Sequence, residues 1–237
     1  MRAVGAAASV IFVLCLPLLL FSSNMRLVVN SSGLYLREFD RYNVSQSTGL
    51  PREELAKAAR GLIAYFNSGE TYVHLRVRGQ QGEFELFKER ETEHLKDVKT
   101  LIQLDYKVQW ATLGYALSYL LFVLAWKRRQ AGHYLGRAAL AGSSLTVAVL
   151  LVLGLAALVS FNQLFLLFHL VSFTNLLWVL DPRTDYLIRM FPQGFFYDAT
   201  LILAASTLAE ALVIGGICWW GPRRRKKPSR LRAKARV

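Results

Sequence analysis

Cysteine is nearly absent from this sequence. There are two in 237 residues, Cys15 and Cys218. Each lies inside a long apolar run, one in the outer half of the first and one at the inner end of the last. Opposite leaflets put them far beyond the roughly 7 Å between Cα atoms that a disulfide tolerates. A disulfide framework and a cysteine metal site are therefore excluded. Cys15 stands in "LCLP" and lacks the small preceding residue of a lipid-attachment site. A close ligand pair such as H-x-x-x-H is missing as well. Lysine and arginine are absent from four stretches, 3–21, 108–126, 138–160 and 199–220, whose only acid is Glu210. Each runs about 19–23 residues, enough for a helix to cross a hydrocarbon core of about 30 Å. Four membrane-spanning helices are expected.

Basic residues fix the expected orientation. The residues before the first span, the connection 127–137 and the tail 221–237 hold 14 Lys/Arg and no acid. Segment 23–107 holds thirteen Lys/Arg against twelve Asp/Glu, and segment 161–198 two against three. Both termini are expected in the cytoplasm, with the two long connections outside. The tail reads as an anchor on anionic lipid heads, not as a nucleic-acid binder. The first span lacks a small-x-small cleavage site, so an uncleaved anchor is expected. The resulting organisation is span one (1–22), an outer cap (23–107), span two (108–126), a basic cytoplasmic loop (127–137), span three (138–160), an outer interfacial loop (161–198), span four (199–220) and a basic tail (221–237). Nothing in the sequence specifies an oligomeric state.

The cap is too long for a connector. "GLPREELAKAARGLIAYFNSG" has Pro51 and two acids at a helix start, Gly69 beyond its end, and an apolar stripe of Leu55, Ala59, Leu62, Ile63 and Phe66. "YVHLRV", "GQQG" and "EFELF" predict a hairpin pairing 72–78 with 83–87. "KERETEHLKDVKTLIQLDYKV" predicts a helix that runs into span two. The fold class is an α-helical polytopic membrane protein with a small α+β cap that packs on the bundle or on segment 161–198.

Four histidines are candidates for chemistry. His74 alternates with Tyr72 and Arg76 on a strand and reads as a surface residue. His133 lies in the basic connection and reads as solvated. His94 and Asp97 are three apart on a helix, so the acid can orient the imidazole, while Lys99 falls on another face. A charged, solvated helix explains the same spacing. His169 follows "FNQLFLLF" at the outer end of span three, where a titratable group is costly unless satisfied or used. Asn175 and Trp178 follow it and are expected to serve as secondary hydrogen-bond donors. Asp181 before Pro182 suggests a turn, and Asp185 is placed to cap "YLIRMF", which ends before Pro192. Irregular backbone at this depth needs burial or a cavity, so the segment is either a re-entrant site or a structural plug. Glu210 lies inside span four. The expected role is a hydrogen bond to a neighbouring helix, with Ala205, Ser206 and Ala209, and Gly114 and Ser118 in span two, allowing close contact.

Taken together, "EHLKDVK", "FH", "F-x-N-x-x-W-x-x-D-P-x-T-D-x-L-I" and "FP-x-x-FF" resemble the bacterial lipoprotein intramolecular transacylase family. The resemblance covers the whole topology. It implies an acyltransferase at the outer face of a bacterial cell membrane. The substrate would be a diacylglyceryl-modified lipoprotein amid membrane lipids, whose sn-2 acyl chain moves to the α-amine of the same cysteine. It implies His94 and His169 as the catalytic pair; around them Asp97, Lys99, Asn175, Trp178, Asp181 and Asp185 are read as substrate-binding or supporting residues. No cofactor, metal or nucleic acid is implied, and no nucleophilic serine or cysteine is needed. Two other classes remain open. A metal-dependent lipid-ester hydrolase would use His94, His169 and Asp97 or Asp181. A non-catalytic lipid or peptide receptor would tolerate loss of both histidines.

Overall fold

The computed structural model describes residues 2–224, so most of the basic tail lies outside the described residues. The chain is mostly helical. Its elements are α1 (Arg2–Val29), α2 (Ser32–Arg41), α3 (Val44–Thr48), α4 (Arg52–Phe66), β1 (Arg76–Gly79), β2 (Gly82–Glu85), α5 (Glu89–Lys127), α6 (Ala131–Ser172), α7 (Tyr186–Met190) and α8 (Gln193–Arg224). One turn of 3-10 helix, Arg128–Gln130, joins α5 to α6. Three stretches are long and apolar enough to cross a membrane: Val4–Val29, Glu89–Ser172 and Gln193–Trp220. The second contains two antiparallel helices, α5 and α6, each long enough for a crossing of its own. α1 packs on α5, α6 and α8, and α6 packs on α8.

The helices overrun the apolar stretches that announced them. α1 continues past Phe21 through "SSNMRLVV" to Val29. Its polar residues point two ways. Asn24 is buried and donates to Leu20 O and to Glu210 Oε2 on α8, at 3.0 and 2.7 Å. Arg26 lies over the Tyr106 and Trp110 rings and donates to Gln109 Oε1 at 3.1 Å. The basic connection expected over 127–137 shrinks to one turn, because "AGHYLGR" already winds into α6. The close contacts are not at Gly114, where a Cβ would meet open space. They fall at Gly142, whose Cβ would lie 2.8 Å from Leu16 Cδ2, and at Gly215, facing Ser143. Small residues at these points let the backbones approach.

Helix α6 is not continuous in geometry. Ser160 has φ −160° and ψ 90°, so the chain breaks there and resumes as an arm, residues 161–172, that ends at Phe173. Span three was expected to end at residue 160, and the break falls at that point. Beyond the break the chain is helical, where a loop was expected.

The cap forms as a helix–hairpin unit, with α2 and α3 added. α4 starts after Pro51, which stands at its N-cap, and buries Leu55, Ala58, Ala59, Leu62, Tyr65 and Phe66. Ile63 is only half-buried. The hairpin is shorter than expected: Val77 pairs with Phe84 and Gly79 with Gly82. Gly82 takes a φ of 120°, which a side chain would oppose. α5 runs unbroken from the cap into the bundle. Met190, fully buried, and Leu187 belong to the cap's own hydrophobic core, as does Phe195 at the start of α8. Cap and 161–198 segment thus share one core. Each buried Leu or Met side chain in it contributes about 1.5–3 kcal/mol. Outside the cap, Leu151, Val152, Leu158 and Val159 are widely exposed, as the flank of a helix facing lipid would be.

Candidate functional site

The site forms where the first turns of α5 meet the arm and loop beyond Ser160. Glu91, which no sequence pattern singled out, makes the junction. Its carboxylate is fully buried. Oε2 accepts from Lys88 N at 2.9 Å, closing the N-terminus of α5. Oε1 accepts from Leu187 N at 2.6 Å, closing the N-terminus of α7. One side chain therefore satisfies free amides at two helix starts and fixes their separation. Burial pushes its carboxyl above the usual range, and the two amides oppose that.

The loop is tied down by further polar contacts. Asp185 stands at the N-cap of α7, but its side chain makes no capping bond, because Glu91 already takes the Leu187 amide. Its carboxylate instead accepts from Lys88 Nζ at 2.9 Å, Thr184 Oγ1 at 3.0 Å and Asp181 N at 2.8 Å. Asp181 holds the turn by accepting from Arg183 N and Nε at 2.9 and 3.1 Å, with the guanidinium also on its second oxygen at 3.0 Å. Those bonds draw the Asp181 carboxyl below its ordinary range. Arg90 donates to Leu176 O at 2.8 Å. Both aspartates shape the loop.

Within this frame the two histidines meet. Their ring centroids are 6.4 Å apart, with planes 30° from parallel. His94 is 7% and His169 8% exposed, so neither is the solvated residue that the spacing of His94 also allowed. Phe173 packs against both rings, at 5.0 Å from His94 and 5.6 Å from His169. His169 Nδ1 lies 2.8 Å from Phe165 O. A carbonyl only accepts, so Nδ1 carries the proton and the neutral ring has its lone pair on Nε2. Trp178, at 4.9 Å, and Phe165, at 4.4 Å, flank the His169 ring. His94 Nδ1 is buried without a hydrogen-bond partner. Burial above all, then the nearby His169, pushes the His94 pKa down to about 4, with Asp97 opposing. His94 is neutral at pH 7.

Four expectations need correction. Asp97 does not orient His94 by a hydrogen bond. Its Oδ2 accepts from Asn175 Nδ2 at 2.8 Å, tying α5 to the loop. The Trp178 indole N–H is not a free donor, since it is given to Asn175 O at 3.0 Å. Asn175 Oδ1 in turn accepts from Leu177 N at 3.0 Å. Lys99 is not at the site at all. It is buried inside the cap, donating to Glu70 O and Ser68 Oγ at 2.5 and 3.2 Å and lying over the Tyr65 ring. Its different helical face had already set it apart from His94. Asp185 braces the loop without capping α7. Of the remaining histidines, His74 is exposed beside Glu85 and His133 is exposed on α6. Among the described residues no three His, Cys, Asp or Glu side chains are grouped so as to hold a metal ion.

A family model for "Lipoprotein intramolecular transacylase Lit" matches residues 10–196, a stretch that contains both histidines, Glu91 and the loop from the arm to the start of α8. The chain belongs to this family. Its activity is therefore intramolecular acyl transfer on lipoproteins, and it is an acyltransferase of the membrane. A transacylase structure from Bacillus cereus superposes with a TM-score of 0.82 at 22% identity, covering 96% of this chain and 100% of that one. A single-substitution variant of the same protein gives a TM-score of 0.75 over 94% of each chain. At that identity the likeness speaks for the fold. An uncharacterized protein of Aquifex aeolicus (strain VF5) is 29% identical over 182 residues, 75% of this chain and 77% of that one.

Proposed function

We propose that the transacylase spans the membrane four times, through α1, α5, α6 and α8, with both termini in the cytoplasm and the cap and histidine pair at the outer face. The charge asymmetry of the connections supports this orientation. The substrate is a lipoprotein whose N-terminal cysteine carries a diacylglyceryl thioether and a free α-amine. Its sn-2 acyl chain moves to that amine and leaves a lyso-form lipoprotein.

The chemistry needs one base, one donor and close approach. An α-amine titrates at about 7.7–8.0, so a neutral imidazole is a suitable partner for its proton. As the amine attacks the ester carbonyl, a C–N bond forms and His169 Nε2 takes the ammonium proton. The observation that carries this assignment is the Nδ1 contact to Phe165 O, which leaves Nε2 as the basic atom. His94, held neutral by burial, offers an N–H to the developing oxyanion, as a neutral imidazole can without becoming an acid–base competitor. The intermediate then collapses, the C–O bond to glycerol breaks, and His169 returns its proton to the glycerol oxygen. The sum is one ester and one amine converted to one amide and one alcohol, without water. Amine and ester sit on one lipidated residue, so folding the substrate back on itself supplies up to about 7–11 kcal/mol of the barrier. Asp97, Asn175, Trp178, Asp181 and Asp185 are positioning residues. They hold the loop that carries the His169 wall against α5.

Mass spectrometry of a lipoprotein N-terminal peptide tests the reading. The host is a bacterium that otherwise makes only the diacylglyceryl, free-amine form. An acyl group on the amine with unchanged total mass supports it. A free amine in the presence of well-expressed protein refutes it.

A further inference from the structure

The opposite end of the bundle holds a second arrangement that acyl transfer does not use. A cavity of about 390 Å³ opens between α1 and α6 near their N-termini. Its walls are apolar and include Val13, Leu14 and Ala141. Its mouth carries His133, Tyr134 and Arg137. His133 and Arg137 are one turn apart on α6 and share a face. From His133 to Ala141 the helix rises about 12 Å, the depth from a headgroup down through the first carbons of an acyl chain.

Charge selects what fits. No acid occurs between Asp105 and Asp181 or before Glu38, so α1 and α6 bring no anion to this end. Among the described residues, no ion pair involves Lys127, Arg128, Arg129 or Arg137. Lys127 Nζ lies 4.7 Å over the Tyr134 ring and adds positive potential beside the mouth. The exposed Arg137 guanidinium therefore stands above a greasy slot with its donors unclaimed by any carboxylate. A planar guanidinium suits a phosphodiester, and the slot suits a chain. We propose that this cleft is a binding site for an anionic phospholipid of the adjacent leaflet, with the phosphate on Arg137 and His133 and an acyl chain between α1 and α6. The site lies at the far end of the bundle from the histidine pair and holds the enzyme's α1–α6 seam.

The test is native mass spectrometry of the full-length protein with phosphatidylglycerol and phosphatidylcholine of matched chains. Wild type is expected to bind phosphatidylglycerol roughly fivefold more tightly, the worth of about one cation at a headgroup. Arg137→Ala should abolish that preference, Arg137→Lys should keep most of it, and Ala141→Phe should block uptake of both lipids. Equal binding of the two lipids by wild type, or an unchanged preference in Arg137→Ala, overturns the proposal. So does displacement of the lipid by millimolar sn-glycerol 3-phosphate, which would make the ligand a soluble phosphoester. Acyl transfer by Arg137→Ala in phosphatidylcholine micelles serves as the check that the variant is folded.

Discussion

The two ends of the helical bundle are built on opposite plans. At the end away from the cap, α5 and α6 are joined by a single turn whose charged residues are all basic. At the cap end, two long connections carry nearly all the acids and lock onto each other through Glu91, Asp97, Asp185 and Arg90. The contrast shows where precision is needed. A connecting turn needs only length and charge. In the proposed reaction one lipid residue folds back on itself between two rings, and hydrogen bonds between the two connections hold those rings in place.

The contrast is broken most severely at the histidines. His94→Ala and His169→Ala are each expected to lower acyl transfer by about 10²–10⁴-fold, with cap folding retained. Steady-state assays on a synthetic diacylglyceryl lipopeptide, alongside thermal unfolding, measure both. Histidine variants that turn over at wild-type rates would remove the chemistry from this end.

Glu91→Ala comes next. It strands the buried Leu187 amide, at about 1–3 kcal/mol, and frees the Lys88 amide as well. A lower melting temperature and a slower rate should appear together, and Glu91→Gln should recover part of each. A variant with normal stability and rate would show that the junction does not set the site. Asp97→Ala or Asn175→Ala should cost less, about tenfold in rate, the order seen when a residue supporting a site is lost. The two together should cost no more than one, because they form a single bond.

How much of this was legible in the sequence depends on the reach of each signal. Long apolar runs and basic flanks are local properties, and they announced the helices and the basic end. The histidine pair was reached through the motif around "FH" and "EHLKDVK". Glu91 was not, since "KERETEH" reads as a solvated helix start. Only the fold brings Leu187 N to its carboxylate. The same applies to Asp97, whose partner is 78 residues away. The break at Ser160 has no proline or glycine at that residue to announce it. Lys99 was drawn in by nearness in sequence, and its helical face takes it into the cap. Lys99→Met is accordingly expected to lower cap stability slightly and leave the rate unchanged, which separates cap from site.

The remaining effect is in pH. His94 falls from 6.5 in the unfolded chain to about 4 in the fold. Between those values the unfolded state binds the extra proton, so stability held above pH 6.5 is lost as pH falls toward 4. His94→Phe lacks this term, and its melting temperature should therefore gain on wild type as the pH is lowered through that window. Parallel curves would place His94 in a solvated setting.

A crossover experiment tests the central claim most directly. Two lipopeptides of different sequence, one with isotopically heavy and one with light acyl chains, are mixed with the purified protein. The account predicts that each peptide's amine acquires only its own chain, and that His94→Ala and His169→Ala form neither product. Heavy chains on light peptides, or unimpaired transfer in both variants, would contradict it.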